Sequence, residues 1–280
     1  MYRLLIVDGN NLLFQMYYGM PARIVNEDGR PIQGVLGFIG ALLKILRMVE
    51  PTHAVVLFDG AYTTPRRGLD PDYKANRKDF SGLPPEETPF SQLPDVQAAL
   101  KELKIPYAET TTCRADDWIA GYAAAYGREN QVVIVSQDSD LFQLVTDRVQ
   151  VLHYRGKNTV LWGPEQVQEK LGVTPAQYAA CKALEGDPAD NISGVPRVGH
   201  KTAIALLQQF GDLDTLLEKA EEIPRPAVRA AVLAHRELVL KNYALIRFRS
   251  HVPLPYKLEK ISHNDKGFTT GQVLQAVGLR

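Results

Sequence analysis

The sequence predicts an α/β fold, a mostly parallel sheet with flanking helices followed by a helical region, and three observations carry that expectation. The runs RLLIV, THAVVLF and VVIV are short, apolar and β-branched, as strands buried on both faces are. Helical patterns separate the first two runs, as a parallel crossover requires. Beyond Pro164 the strand patterns end, and segments that open on proline, a favoured first helical residue, take over.

Composition narrows the function classes. With 280 residues, 45% of them hydrophobic, the chain can bury the core of one large domain or two unequal ones. The 32 basic residues balance 32 acidic ones, which argues against a surface coated with positive potential. Lys44 and Arg47 interrupt the most apolar stretch, and Met1-Tyr2-Arg3 runs straight into LLIV, so neither a membrane span nor a leader is expected. Two cysteines, Cys113 and Cys181, build no disulfide framework and lack the partners of a zinc site; as small packing residues they fit a reducing, cytoplasmic setting.

Taken in order, residues 3–7 form a strand that ends in Asp8, and a helix follows from about residue 12. Residues 34–50 place Val35, Phe38, Leu42, Ile45, Leu46 and Val49 along one helical side, and Pro51 stops the helix. The strand over 52–58 again ends in Asp-Gly, at Asp59-Gly60. Either Asp-Gly alone is ordinary turn chemistry; two helix-separated strands ending alike point to a shared purpose. Residues 61–94 are rich in Pro and Gly and carry Arg66, Arg67, Lys74, Arg77 and Lys78, a long basic flap of the kind that is usually functional. Tyr73 beside Lys74, with Arg77 one turn on, suits base stacking with phosphate contact.

A helix over 95–103 and a short strand, KIPYAE, lead to a small-residue helix from about Ala115, with Asp116 and Asp117 in its first turn. The helix dipole by itself explains acids there. Next comes VVIVSQDSDLFQLV, which puts Asp138 and Asp140 at a strand-to-helix switch, the part of an open sheet where ligands bind, although helix capping accounts for the motif taken alone. A hairpin over 149–162 closes the α/β half. In the helical half, Asp187 and Asp190 are spaced to point the same way on a helical turn, and GVPRVGHKT (194–202) is a glycine-bounded hairpin able to present backbone N–H groups to phosphates. Six Lys/Arg against one acid between Arg225 and Arg249 read most simply as a solvated helix face.

The acids Asp8, Asp59, Asp116, Asp117, Asp138, Asp140, Asp187 and Asp190 thus come from strand ends and neighbouring helix starts. So many carboxylates in one crevice demand cations. Oxygen donors without Cys or His suit Mg2+ or Mn2+, and two such ions support phosphodiester hydrolysis without a histidine base. Lys74 or Arg66 from the flap would offset charge on the scissile phosphate.

LLIVDGNNLLF, VVLFDG, the Arg66-to-Arg77 stretch ending KANR, RADDWIAGYA, VSQDSDLFQLV, LEGDPADNISGV and GVPRVGHKTA resemble, in order and approximate spacing, the motifs of the 5′-nuclease (flap endonuclease) family. The likeness is nearest to the 5′–3′ exonuclease domain of bacterial DNA polymerase I and runs from residue 4 to about 254. It implies a PIN/resolvase-like nuclease domain over 1–163 with an arch near 61–94, and over 164–280 a DNA-binding region with a helix-hairpin-helix-type element. It implies further that the eight acids hold two divalent ions, directly or through water. Arg66 and Lys74 would act on the scissile phosphate, with Tyr73 and Arg77 beside them on the arch. The hairpin, with Gly194, Val195, Gly199, Lys201 and Thr202, would hold duplex backbone, with a potassium ion. The expected activity is structure-specific hydrolysis of DNA with 5′ flaps, nicks or ends, RNA primers being left open, by a monomeric stand-alone nuclease.

Two departures from the family pattern bear on activity. Arg114 stands where the family usually has Glu, and Gln15 where its first helix usually has Arg. Either Arg114 weakens the first ion, or it points away while water or Glu109 takes the missing place. The alternative to an active nuclease is a DNA-structure binder without turnover; a small-molecule phosphohydrolase would need neither flap nor hairpin.

Overall fold

The structure, a computed structural model, describes residues 2–60, 68, 70–76, 84 and 87–279. Its centre is a six-stranded sheet of β1 (Arg3–Asp8), β2 (His53–Phe58), β3 (Tyr107–Glu109), β4 (Gln131–Val135), β5 (Val149–His153) and β6 (Val160–Trp162). The order is β3-β2-β1-β4-β5-β6; all pairs are parallel except the last, an antiparallel hairpin at the edge. Every residue of β2 is buried and β1 is nearly so, as the unbroken apolar runs require when helices cover both faces.

Helices α1 (Gly9–Gly19), α2 (Gln33–Val49) and α3 (Leu93–Glu102) cover one face, and α4 (Ala115–Tyr126) covers the other. The order reverses at β1, with β2 on one side and β4 on the other, and ligands of open sheets bind beyond the strand ends at such a reversal. Register makes the ends coincide: Asp8 lies opposite Leu57 of β2, and Val7 opposite Val135 of β4.

The second half holds α5 (Pro164–Leu171), whose Val167 packs into the core on the second face of the sheet, and α6 (Tyr178–Glu185), α7 (His200–Phe210), α8 (Leu213–Glu218), α9 (Pro226–Ala234) and α10 (Arg236–Ile246) around a separate apolar core. The sequence pattern missed a two-stranded ribbon here, β7 (Gly186–Asp187) with β8 (Ile192–Ser193). Gly186 has φ of 87°, and a Cβ on Gly194 would collide with the Glu185 carbonyl, so the ribbon closes against α6 only because both positions lack side chains.

Three local expectations change form. The segment after Asp138 is a six-residue 3₁₀ turn, Ser139–Leu144, and not an α-helix. Residues 175–177 are also 3₁₀, and α6 begins at Tyr178. The C-terminal stretch, which yielded no functional reading, returns to the sheet half. Ala54 N–H donates to Ile261 C=O and His263 N–H to Thr52 C=O (2.9 and 2.8 Å), and α11 (Thr270–Ala276) places Val273 and Leu274 in the core over α2.

Candidate metal centre and its surroundings

Asp8 ends β1 and caps α1, accepting the Asn11 N–H at 3.0 Å and the Ser136 hydroxyl at 2.9 Å. Asp59 follows β2; it accepts the Ala115 N–H at 2.7 Å, and its own N–H donates to Asn10 Oδ1 at 2.8 Å. Asp138 follows β4 and accepts the Asp140 N–H at 2.9 Å. Asn11 Oδ1 takes the Gln137 N–H at 2.8 Å, so the turns after β1 and β4 are tied to each other. These acids and Asp116 line one open pocket, whose walls also include Phe14, Tyr18, Phe90 and Arg114.

A second group adjoins it. Asp140, Asp187 and Asp190 each offer a carboxylate oxygen, all within 4.8 Å of one another. The sequence placed Asp187 and Asp190 on a helical turn; they flank the 3₁₀ turn Pro188–Asp190, where residues three apart eclipse, so the two still share a side. Asp140 also accepts the Tyr178 hydroxyl at 3.1 Å.

No Lys or Arg among the described residues forms an ion pair with Asp8, Asp59, Asp138 or Asp140. Their carboxyls respond accordingly. Burial, then Asp116, raises Asp8 to about 8, and burial, then Asp138, raises Asp140 to about 7; Asp59 and Asp138 are raised by burial and by Asp116. Crowded carboxyls keep protons when no cation is present. A metal-bound state would reverse this, and hard oxygen donors in this number fit a divalent ion of the magnesium or manganese type.

The other four acids have basic partners, more than the sequence pattern indicated. Lys74 Nζ lies 3.1 Å from Asp190, Lys182 Nζ 3.7 Å from Asp187, and Arg249 3.2 Å from Asp117, while Arg114 is ion-paired with Asp116. Asp117 is placed apart from the other seven acids. It is 0% exposed, takes the Arg249 N–H at 3.0 Å as well as the guanidinium, and is absent from the pocket wall. Consecutive helical residues point about 100° apart, so Asp116 and Asp117 face different surroundings.

Arg114 points inward. Its side chain is 11% exposed, and Nη1 donates to the Tyr73 hydroxyl at 3.2 Å, which donates to Asp190 at 3.3 Å. Burial opposes its charge, but Asp116, Tyr73, Asp59 and Asp190 outweigh burial and hold the guanidinium protonated. Glu109 does not take the missing place; it accepts from Gln97 at 3.5 Å on the exposed edge. Gln15 is likewise spent elsewhere, donating to the Tyr154 carbonyl at 2.7 Å.

The flap residues divide. Arg66 and Arg77 lie outside the described residues. Tyr73 is 3% exposed and belongs to the helical core, so its ring is not presented for base stacking as its neighbourhood to Lys74 implied. Its turn docks on the acid loop, with Lys74 N–H on Asp190 C=O (3.0 Å) and Asn76 Nδ2 on Pro188 C=O (2.8 Å). The aromatic wall that sequence reasoning missed is Phe14, Tyr18 and Phe90, with Phe14 and Phe90 ring centroids 5.3 Å apart. Phe14 and Tyr18, one turn apart on the helix behind Asp8, were its only signal.

In the hairpin, Val195 is buried and its N–H bonds the Leu184 carbonyl at 2.8 Å, so it anchors the turn, while Gly199, Lys201 and Thr202 stand at the start of α7 with Gly199 and Lys201 exposed. Cys181, set down as a packing residue, is buried but lies 3.9 Å from His200, which is 2.7 Å from Glu185; this contact ties the hairpin to α6. Most of the basic run is engaged internally: Arg229 and Arg236 hold carbonyls, and Lys241 pairs with Asp70 at 2.9 Å.

An open α/β sheet whose strand ends converge buried carboxylates, with a helical hairpin alongside, defines a carboxylate-rich metal centre set beside a backbone-presenting turn. Residues 3–172 match the family described as 5′-3′ exonuclease, N-terminal resolvase-like domain, and residues 173–267 its C-terminal SAM fold. The chain belongs to the 5′-3′ exonuclease family. It is 38% identical to DNA polymerase I of Rhizobium leguminosarum over 92% of its own length and 35% identical to that of Bacillus caldotenax over 93%, but spans only 26% and 29% of those relatives. Among solved structures, T5 5′-exonuclease with bound zinc superposes with a TM-score of 0.73 at 21% identity, covering 89% of this chain and 90% of that one. The T5 D15 flap endonuclease in a pseudo-enzyme–product complex with DNA and metal ions gives 0.71 at 21% identity, covering 99% of both. These likenesses establish the fold.

Proposed function

We propose that the chain is a divalent-metal-dependent, structure-specific 5′ nuclease that hydrolyses phosphodiester bonds in DNA bearing 5′ flaps, nicks or ends. The observation that carries this is the convergence of Asp8, Asp59, Asp138 and Asp140 with no Lys or Arg paired to them among the described residues. Asp140, Asp187 and Asp190 would hold a divalent ion, magnesium being the expected one, and Asp8, Asp59, Asp116 and Asp138 form the pocket beside it. Bound there, the ion supplies charge neutralisation at the phosphate and an acidified water. Lys74 would exchange Asp190 for the scissile phosphate, a substitution that its long flexible stem permits. Phe14, Tyr18 and Phe90 would hold an unpaired base against the pocket wall.

Gly199, Lys201 and Thr202 at the exposed start of α7 would hold the duplex backbone, where a helix N-terminus favours phosphate, and a potassium ion at this hairpin belongs to the same proposal. The division into a nuclease domain over 1–163 and a DNA-binding region from 164 is supported by the helical core that gathers α6 to α10, while Val167 and the C-terminal Val273 and Leu274 pack with the sheet half. Both cysteines are free, which fits action in the cytoplasm. No helix among the described residues is long and apolar enough to cross a membrane.

A 5′-labelled flap duplex tests the reading. Magnesium-dependent release of short products, abolished by chelation, is expected; a clean preparation that releases none across a wide range of magnesium and manganese overturns it. The engagement of Asp116 by Arg114 favours a second reading, flap binding without turnover, which cleavage by the unaltered chain would end.

A further inference from the structure

The carboxylates form two groups that differ in one respect. Around Asp140, Asp187 and Asp190 the basic neighbours are lysines, Lys74 at 3.1 Å and Lys182 at 3.7 Å, compact charges on flexible stems that an arriving ion can displace. Around Asp8, Asp59, Asp116 and Asp138 the basic group in direct contact is Arg114, on Asp116, with Lys74 acting on Asp59 and Asp138 from further off, and the position of Arg114 is fixed. It precedes α4 in extended conformation, its side chain is buried, and it contacts Asp116 directly and Asp190 through the Tyr73 hydroxyl. A guanidinium stays charged in proteins. Arg114 therefore puts a permanent positive charge between the two groups.

We propose that Arg114 is a built-in cation that replaces one of two divalent ions, so that the chain loads a single divalent ion, at Asp140, Asp187 and Asp190, while Arg114 supplies the second positive charge of the site. The physical reason is twofold. An ion entering the pocket must both break the Arg114–Asp116 pair and sit beside a like charge in a partly buried site, where screening is weak. The loss in affinity at that position is then at least on the order of 100-fold relative to the Asp140 group. Arg114 also links the groups mechanically, because the residue on its far side, Tyr73, belongs to the turn that carries Lys74.

The inference rests on the nuclease reading for its purpose, but its test counts ions and not cleavage. Mn2+ bound to the full chain, titrated to millimolar and followed by the spin-resonance signal of free Mn2+, is expected to saturate at one ion. Arg114→Glu should bind two, and Arg114→Gln, which removes charge without adding a ligand, should bind the second at least tenfold more weakly than Arg114→Glu does. In the unaltered chain Asp187→Asn should abolish the tight ion and Asp138→Asn should not. Two ions of similar affinity in the unaltered chain overturn the proposal, as does retention of the tight ion by Asp187→Asn, and neither result requires the Arg114 variants to fold. One bound ion with no flap cleavage would fail the nuclease reading alone; cleavage with two ions would fail this inference alone.

Discussion

The acids carried on strand ends and those carried on the ribbon loop meet at the same place but are stabilised differently. Asp8, Asp59 and Asp138 are set by the register of β1, β2 and β4 and have no ion pairs among the described residues, whereas Asp187 and Asp190 bring Lys182 and Lys74 with them. Strand ends cannot relax to separate their carboxylates, so in the metal-free protein burial and Asp116 push these carboxyls up from their ordinary range, whereas a loop can fold back until a lysine reaches it. The first arrangement stores repulsion that a fixed positive charge, Arg114, partly offsets, and the second is neutralised by lysines that an arriving dication can displace.

The largest effect expected from breaking this contrast comes from the sheet side. Asp8→Asn or Asp138→Asn should lower single-turnover flap cleavage on the order of 10²–10³-fold. The same changes should raise the melting temperature of the metal-free protein, by roughly a few degrees, because they remove a buried carboxyl from a crowded set. Loss of activity together with a lower metal-free melting temperature would show that these side chains hold the fold and do not strain it.

The pH dependence sharpens the same point. Asp8 and Asp140 titrate near 8 and 7 in the folded chain against about 4 when unfolded, so between those limits the folded state binds more protons than the unfolded one. Stability from these groups is fully present below about pH 4 and is lost as pH rises through 7 to 8. Melting of the metal-free protein should therefore fall between pH 5 and 9, and the stabilisation by saturating magnesium should be larger at pH 9 than at pH 6. Equal stabilisation at both values would place the ion away from Asp140.

Much of this was legible in the sequence, and the parts that were not have physical reasons. β-branched runs ending in aspartate specify both a strand and the end on which its carboxylate sits, so Asp8, Asp59 and Asp138 were placed from pattern alone. Partners were not, because Lys182 and Lys74 lie on different segments from the acids they reach, and no periodicity encodes a contact across 116 positions such as Lys74 to Asp190. Adjacent Asp116 and Asp117 read as a pair, yet helix geometry separates them. The ribbon of Gly186–Asp187 with Ile192–Ser193 is too short to leave an alternating pattern, and nothing in the pattern singles out Phe14, Tyr18 and Phe90, which the fold brings together along the pocket.

Asp116 and Asp117 give the next test. Arg249→Ala removes the guanidinium from the buried Asp117 carboxylate while keeping the backbone donor, and should cost about 1–2 kcal/mol, a discount for the half-exposed guanidinium included, measured by urea denaturation. Flap cleavage under folding conditions should change less than about threefold, because Asp117 is outside the pocket. A large catalytic loss at unchanged stability would return Asp117 to the metal set.

The smallest effect belongs to the hairpin, where backbone and not side chain faces the partner. Lys201 is exposed at the start of α7 and would contribute one phosphate contact among several, so Lys201→Ala should weaken flap binding only a few-fold at low salt. Its signature is in the salt dependence: the slope of log affinity against log salt should flatten by about 1, equally for all sequences, since a phosphate contact carries no base information. An unchanged slope would remove Lys201 from the interface and leave the duplex to other cations, among which Arg225 and Arg247 are exposed neighbours in the basic run.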